Sequence, residues 1–301
     1  MITLTSAADF EKYIPGGCVA ALGAFDALHI GHMRIISRAA EYAHSVGKKV
    51  LVQLFELPPS MSAENAECVN NLEDRLRVLA DAGVDFAVTE SFTEEFMKLD
   101  CETFVQRFLK EKYHAEAVFV GYNYTFGYRA EGDAKRLCEE CKKLGIRVFV
   151  QECVELDGEV SSTQIRELIK RGDVERAEVL MGRPYAVSGT VIRGRQLGRT
   201  IGFPTVNIEI PRGMAIPREG VYKTKVLFKD KSFAGITNVG RKPTVAADEE
   251  NIETNIIGYD GDLYGEKIRL EFVRRLRDIK AFDSLEELRL QLEEDKRKAA
   301  E

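Results

Sequence analysis

The 301-residue chain holds only four histidines and six cysteines, has no apolar run of bilayer length, and nowhere contains a Gly-x-x-x-x-Gly-Lys-[Ser/Thr] loop. Each shortage excludes something. A spanning helix needs about 20 consecutive apolar residues, so no membrane is expected as a partner. Residues Met1 to Lys12 lack the charged start and long apolar centre of a secretory signal, which makes the expected setting cytoplasmic. Thiols stay reduced there, and six cysteines in a chain of this length form no disulfide framework. Cys138 and Cys141 make a Cys-x-x-Cys, but no second pair stands at finger-like spacing. They read as helix residues rather than half a zinc site. Any phosphate cradle must also differ from a P-loop. The formal net charge of −6 gives no general attraction for a polyanion, so nucleic acid is not an expected partner.

What is present is the composition of an ordinary globular protein, over a length that exceeds one hydrophobic core. Two domains are expected, 1–182 and 183–301. From Cys18 to Cys153 short apolar runs alternate with amphipathic segments, the pattern of βα units around a parallel sheet. The expected strands are Cys18 to Leu22, Lys49 to Phe55, Asp85 to Thr89, Glu116 to Val120 and Arg147 to Cys153. Helical period joins Ile35, Ile36, Ala39, Ala43 and Val46 on one face, and Leu72, Leu76, Leu79 and Ala80 on another, the second stopped by Gly83. This half is therefore a Rossmann-like α/β domain.

The stretch Gly23 to His32 follows the first strand and opens the first of these helices. A glycine-bearing turn at a helix N-terminus offers unpaired N–H groups and the positive end of the dipole to a phosphate. A single histidine here would be read as packing. His29 and His32 are half of the chain's four histidines, and Gly31 between them lets backbone approach a phosphate closely. Their imidazole N–H groups can donate to phosphate oxygens as charge builds in a transition state.

After a short helix, Asp173 to Met181, the chain changes character at Gly182. Strand-like runs now alternate with glycine and proline: Tyr185 to Ile192, Thr205 to Ile210, Gly220 to Phe228, Lys231 to Val239, Glu253 to Gly258 and Lys267 to Val273. Such spacing indicates an antiparallel barrel or sandwich. A last helix, Leu285 to Lys298, with Ser284 as its cap, should pack on it.

Gly23-Ala-Phe-Asp-Ala-Leu-His-Ile-Gly-His32 resembles the G-x-F-D-x-x-H-x-G-H signature of the nucleotidyltransferase superfamily. Gly121-Tyr-Asn-Tyr-Thr-Phe-Gly127 and Ser161-Ser-Thr-Gln-Ile-Arg166 resemble two further segments of the FMN adenylyltransferase module of bacterial FAD synthetases. The second half resembles the riboflavin kinase module, through Gly182-Arg-Pro-Tyr185, Gly194, Gly198-Arg199, Gly202-Phe-Pro-Thr-Val-Asn207, Gly220-Val-Tyr222, Asn238 to Thr244 and Glu253-Thr254. The resemblance implies a bifunctional enzyme that makes FMN and then FAD, with riboflavin, FMN and ATP as small-molecule substrates and Mg²⁺ as cofactor. Its oligomeric state is not implied.

The same resemblance implies residue roles. Gly23, Phe25, Asp26, Gly31, Ser161, Ser162 and Thr163 would bind ATP and its phosphates, with His29, His32 and Arg166 acting on the transferring group. Asn123, Tyr124 and Phe126 would seat the flavin. In the kinase half Gly194, Gly198, Arg199, Gly202 and Pro204 would cradle ATP, Thr205 and Asn207 would hold the metal, and Glu253 would be the base. Each also has a plainer reading: the serines and Thr163 can cap the helix that follows, the aromatic residues can close a strand end, and Glu253 can be a solvated carboxylate.

Five places depart from these patterns. Ala24 replaces an asparagine and Ala27 a glycine, no histidine stands near Pro58, Asn255 replaces a histidine, and Gly258 an aspartate. Lost contacts to ATP, each about 0.5 to 1.5 kcal/mol, would weaken the first site more readily than abolish its chemistry. A kinase with a weakened or altered first domain, or a flavin-sensing regulator without turnover, are the alternatives.

Overall fold

The computed structural model describes residues 1–4, 7–56, 67–156, 158–194, 202–243 and 248–300. Pro58, Gly198, Arg199 and Thr244 lie outside them. The chain divides into two compact units, Met1–Ser162 and Thr163–Glu301.

The first unit runs β1 (Ile2–Leu4), α1 (Ala7–Tyr13), β2 (Cys18–Ala21), α2 (Ile30–Ser45), β3 (Lys49–Phe55), α3 (Leu72–Asp81), β4 (Phe86–Glu90), α4 (Glu94–Met97), α5 (Cys101–Phe104), β5 (Ala115–Gly121), α6 (Ala134–Lys143) and β6 (Arg147–Gln151). A π-helical stretch, Val105–Lys112, continues α5. The strands form one six-stranded sheet in the order β1-β4-β3-β2-β5-β6, with every pairing parallel. β1 was not expected. It is three residues long and lies at the edge, beside β4, too short for any periodicity to register.

Both faces of the sheet are buried, as parallel strands with helical crossovers require. Val19, Ala21, Val52 and Leu54 pack with Ile36 and Ala39 of α2 on one face. Ala20, Leu22, Leu51 and Val88 pack with Phe104, Leu109 and Leu137 on the other. Local chemistry fixes the helix starts: Asn71, Asp100 and Asp133 each accept a hydrogen bond from the backbone N–H three residues on, which satisfies an otherwise orphaned donor. Strand order then creates the crevice. β3 leaves β2 on one side and β5 lies on the other, so the chain reverses direction between β2 and β5, and ligands of open α/β sheets bind at that reversal.

The second unit begins with α7, whose range is Ser162–Arg171, and α8 (Val174–Met181), followed by β7 (Tyr185–Ile192), β8 (Val206–Ile208), β9 (Gly220–Phe228), β10 (Lys231–Pro243), β11 (Asp248–Ile256), β12 (Lys267–Arg277) and α9 (Leu285–Ala300). The strands close into a barrel in the order β10-β11-β8-β7-β12-β9, with antiparallel pairings throughout. The expected strand starting at Glu253 begins earlier, at Asp248, because the acidic run 248–250 pairs across to 241–243 of β10. Closure removes exposed edges. Inside, the buried Thr224, Thr237 and Thr254 form a hydroxyl chain with O···O distances of 2.8 and 2.9 Å.

α9 starts where Ser284 Oγ accepts from the Glu287 N–H. It packs Ala299 against Val221 and Ile236 and is fastened by Arg277, whose guanidinium donates three hydrogen bonds to the fully buried carboxylate of Asp295.

Candidate active site

The turn from β2 to α2 carries the first site. Phe25 and Leu28 both have φ +46°, a left-handed conformation that costs a side chain about 1 to 3 kcal/mol and is held only by surroundings that over-determine it. Both side chains are fully buried, which supplies that restraint. His29 caps α2: its Nδ1 accepts from the His32 N–H at 3.3 Å. With Nδ1 accepting, the neutral ring carries its proton on Nε2. The imidazoles of His29 and His32 stack with centroids 3.7 Å apart, and Phe25 meets His32 edge-on at 5.2 Å. A Cβ on Gly31 would come within 3.1 Å of His29 Nδ1, so glycine is what admits the imidazole at that spacing.

These residues open on a cavity of about 850 Å³, whose lining includes Gly23, Ala24, Phe25, His29, Gly31, His32, Asn123, Tyr124, Phe126, Ser161 and Ser162. The turn after β5 reaches it because β5 is the neighbour of β2. Tyr124 donates its N–H back to the Gly121 carbonyl, and its ring stacks on Phe126 at 5.9 Å. Burial pushes the Tyr124 hydroxyl above its ordinary pKa, so it stays a neutral donor. Ser162 Oγ accepts from the Ala27 N–H at 3.4 Å.

Three of the expected residues are not among the lining residues. Asp26 is 2% exposed and absent from the lining; its carboxylate accepts from the Val69 N–H and its carbonyl from Asn70. Thr163 is exposed, and Arg166 is half-buried one turn into α7. Conversely, the cavity is also lined by Gln53, Phe55, Phe92, Phe96 and Phe104, none of which was singled out from the sequence. For Gln53 a signal was present: it is the one uncharged polar residue in Lys-Val-Leu-Val-Gln-Leu-Phe.

In the barrel, β8 lies between β7 and β11, with Asn207 opposite Ile192 on one side and Glu253 on the other. The Thr205 hydroxyl donates to Glu253 Oε1 at 2.5 Å. Asn207 is 3% exposed, and a Cβ on Gly194 would overlap its side-chain amide, so glycine lets the 193–194 backbone close over it. Thr205 and Pro204 also line a cavity of about 640 Å³ with Arg193, Tyr259, Asp262 and Tyr264. The site thus gathers Gly194, Thr205, Asn207 and Glu253; Gly202 is exposed at φ +79°.

Two family models divide this chain: FAD synthetase matches residues 11–164 and riboflavin kinase residues 181–301. The bifunctional riboflavin kinase/FMN adenylyltransferase of Bacillus subtilis is 32% identical, over 93% of this chain and 91% of its own length. This chain belongs to the bifunctional riboflavin kinase/FMN adenylyltransferase family. The Escherichia coli K12 member is 33% identical over 95% of this chain and 92% of its own. A crystal structure described as a macrolide-efflux protein from Streptococcus pneumoniae matches with TM-score 0.89 and 30% identity, over 99% of this chain and 98% of that one. Among the described residues no helix is long and apolar enough to cross a membrane.

Within the family pattern, the departures of this chain have local explanations. Ala27 is fully buried and is not among the left-handed residues of its turn, so it takes the place of glycine without strain. Gly258 has φ +76°, where an aspartate would be strained. Asn255 Nδ2 donates to the Pro204 carbonyl at 2.7 Å, which braces the residue before Thr205. Ala24 is exposed on the cavity wall and leaves the space of a larger side chain open.

Proposed function

We propose that residues 1–182 transfer an adenylyl group from ATP to FMN, and that residues 183–301 phosphorylate riboflavin with ATP. What supports the reading is that each family match covers a group of polar residues of the type its chemistry uses: stacked imidazoles at a helix start in one, a hydroxyl, amide and carboxylate on neighbouring strands in the other.

In the barrel the Glu253 carboxylate takes the proton of the riboflavin primary hydroxyl as that oxygen bonds to the γ-phosphorus of ATP and the bond to ADP breaks. Thr205, by donating to Oε1, holds the carboxylate in one rotamer and leaves Oε2 for the substrate. The donor set fits Mg²⁺: the Thr205 hydroxyl and Asn207 amide oxygen are hard ligands beside a carboxylate. Bound there, the ion would neutralise charge on the ATP phosphates.

In the first domain a phosphate oxygen of FMN attacks the α-phosphorus of ATP and pyrophosphate leaves. The nucleophile is already an anion, so no base is required. His29 and His32 donate N–H groups to the transferring phosphoryl oxygens, and the α2 N-terminus adds its dipole. Asn123, Tyr124 and Phe126 seat the flavin.

Incubating the protein with riboflavin, Mg²⁺ and ATP and separating the flavins tests both claims. His32→Ala should stop at FMN, and Glu253→Gln should make FAD only when FMN is supplied. No FMN from the wild type refutes the kinase, and FMN without FAD refutes the transferase. The exposed Ala24 favours a second reading, a weakened adenylyl site. Under it, Ala24→Asn together with Pro58→His would sharply raise FAD formation.

A further inference from the structure

Gln53 occupies the middle of β3, a central strand, and is 2% exposed. Its Nε2 is buried without a hydrogen-bond partner, and no described residue bonds to its side chain. A primary amide nitrogen kept out of water and unpaired is destabilising. Strands flanked by helices are filled with apolar side chains for that reason, and leucine or methionine would fit Gln53's volume. The amide therefore stands where stability alone would not put it.

Its surroundings say what it meets. Gln53 lines the 850 Å³ cavity, and strand alternation sets it on the same face as Leu51 and Phe55. From Phe55 a chain of ring contacts runs along the cavity: Phe55 to Phe96 at 5.4 Å, Phe96 to Phe104 at 6.1 Å, Phe104 to Phe126 at 5.4 Å and Phe126 to Tyr124 at 5.9 Å. The imidazole pair of His29 and His32 lines the same cavity. Gln53 is thus a two-way hydrogen-bonding group on the same lining as these rings. A flat ring system with one apolar end and one polar edge would complement it.

We infer that Gln53 is a specificity-determining contact of the adenylyl-acceptor site, where its amide pairs with the pyrimidinedione edge of the flavin ring. That edge presents acceptor, donor, acceptor (O2, N3–H, O4). The amide accepts from N3–H and donates to the adjacent carbonyl, two parallel hydrogen bonds that no leucine could make. The buried amide is then unsatisfied only without flavin, so part of the acceptor's binding free energy comes from relieving it. Adenine also has a donor–acceptor edge, and the N3-methyl comparison below separates it from the flavin. This inference rests on the adenylyltransferase reading.

The test compares wild type with Gln53→Leu in FAD formation, using FMN and its N3-methyl derivative, which lacks the N3–H donor. Wild type should disfavour N3-methyl-FMN about tenfold or more in kcat/KM. Gln53→Leu should raise the KM for FMN about tenfold, leave the KM for ATP in place, and no longer distinguish the two flavins. It should also melt at a higher temperature without ligand, since the unpaired amide is gone. That readout is independent of turnover. An unchanged KM for FMN, a rise in the KM for ATP instead, an N3-methyl penalty equal in both proteins, or a lower melting temperature would each overturn the assignment. Wild-type protein that makes no FAD refutes the transferase reading and the contact with it; FAD formation with a KM for FMN indifferent to residue 53 refutes the contact alone.

Discussion

The Arg277–Asp295 pair sets how firmly α9 is held to the barrel, and Asp295→Ala tests it. Asp295 is fully buried; Arg277 Nε lies 3.1 and 3.0 Å from its two oxygens and Nη2 lies 2.7 Å from Oδ2. Gln291 Nε2 adds a fourth contact at 3.1 Å. Removing the carboxylate leaves a guanidinium, 14% exposed, with its main acceptor gone. Breaking a buried pair costs about 3 to 5 kcal/mol. Arg277 keeps its bond to the Asp278 carbonyl and some access to water, which puts the expected loss at the low end, about 3 kcal/mol. For a unit of this size that lowers the midpoint of its thermal transition by roughly 10 °C, measurable by scanning calorimetry. The double variant Arg277→Met with Asp295→Leu should recover most of the loss, because an apolar pair of similar volume carries no desolvation cost. A shift in Asp295→Ala under about 2 °C, or no recovery in the double variant, would show that the apolar contacts of Ala299 hold the helix and that the charge pair is incidental.

Three further outcomes follow from the same structure. Thr237→Val removes the middle of the buried hydroxyl chain and leaves Thr224 and Thr254 each short of a partner; chemical denaturation should show a loss of about 1 to 3 kcal/mol. Gly194→Ala drives a methyl group into the Asn207 amide, so FMN formation should fall roughly 10- to 100-fold while FAD formation from supplied FMN is retained. The Glu178 carboxyl is raised above its ordinary pKa, by burial first and then by Glu271 and Glu175. A raised carboxyl binds protons more tightly in the folded state, so its contribution is favourable in acid and is lost as pH rises through that pKa. Glu178→Gln should accordingly raise the melting temperature at neutral pH and leave it unchanged in acid, below the range of an ordinary carboxylate; an equal effect at both would refute the account.

Much of the local structure was legible. The continuous apolar run Lys49–Phe55 and the glycine-bounded run Tyr185–Ile192 became strands with those bounds, because length, β-branching and turn residues are local signals. The cap of α9 at Ser284 was equally local. Gln53 was passed over for a related reason: within a short apolar run, one polar residue changes no period, and whether it faces packing or a cavity depends on the layer above it. The burial of Asp26 could not be read either, since its partners Val69 and Asn70 are more than 40 residues away.

The sequence by itself determined that there are two modules, a βα repeat and a strand-rich half, and which short motifs resemble those of the family. Hydrophobic period and turn residues act over a few positions and are written wherever they act. Only the tertiary structure decided that Gly23–His32 and Gly121–Gly127 share one cavity, that Gln53 belongs to it, and that Thr205, Asn207 and Glu253 meet. Those adjacencies depend on strand order and register. Order and register are settled by packing both faces of a sheet and closing a barrel, and these are properties of the whole chain rather than of any stretch of it.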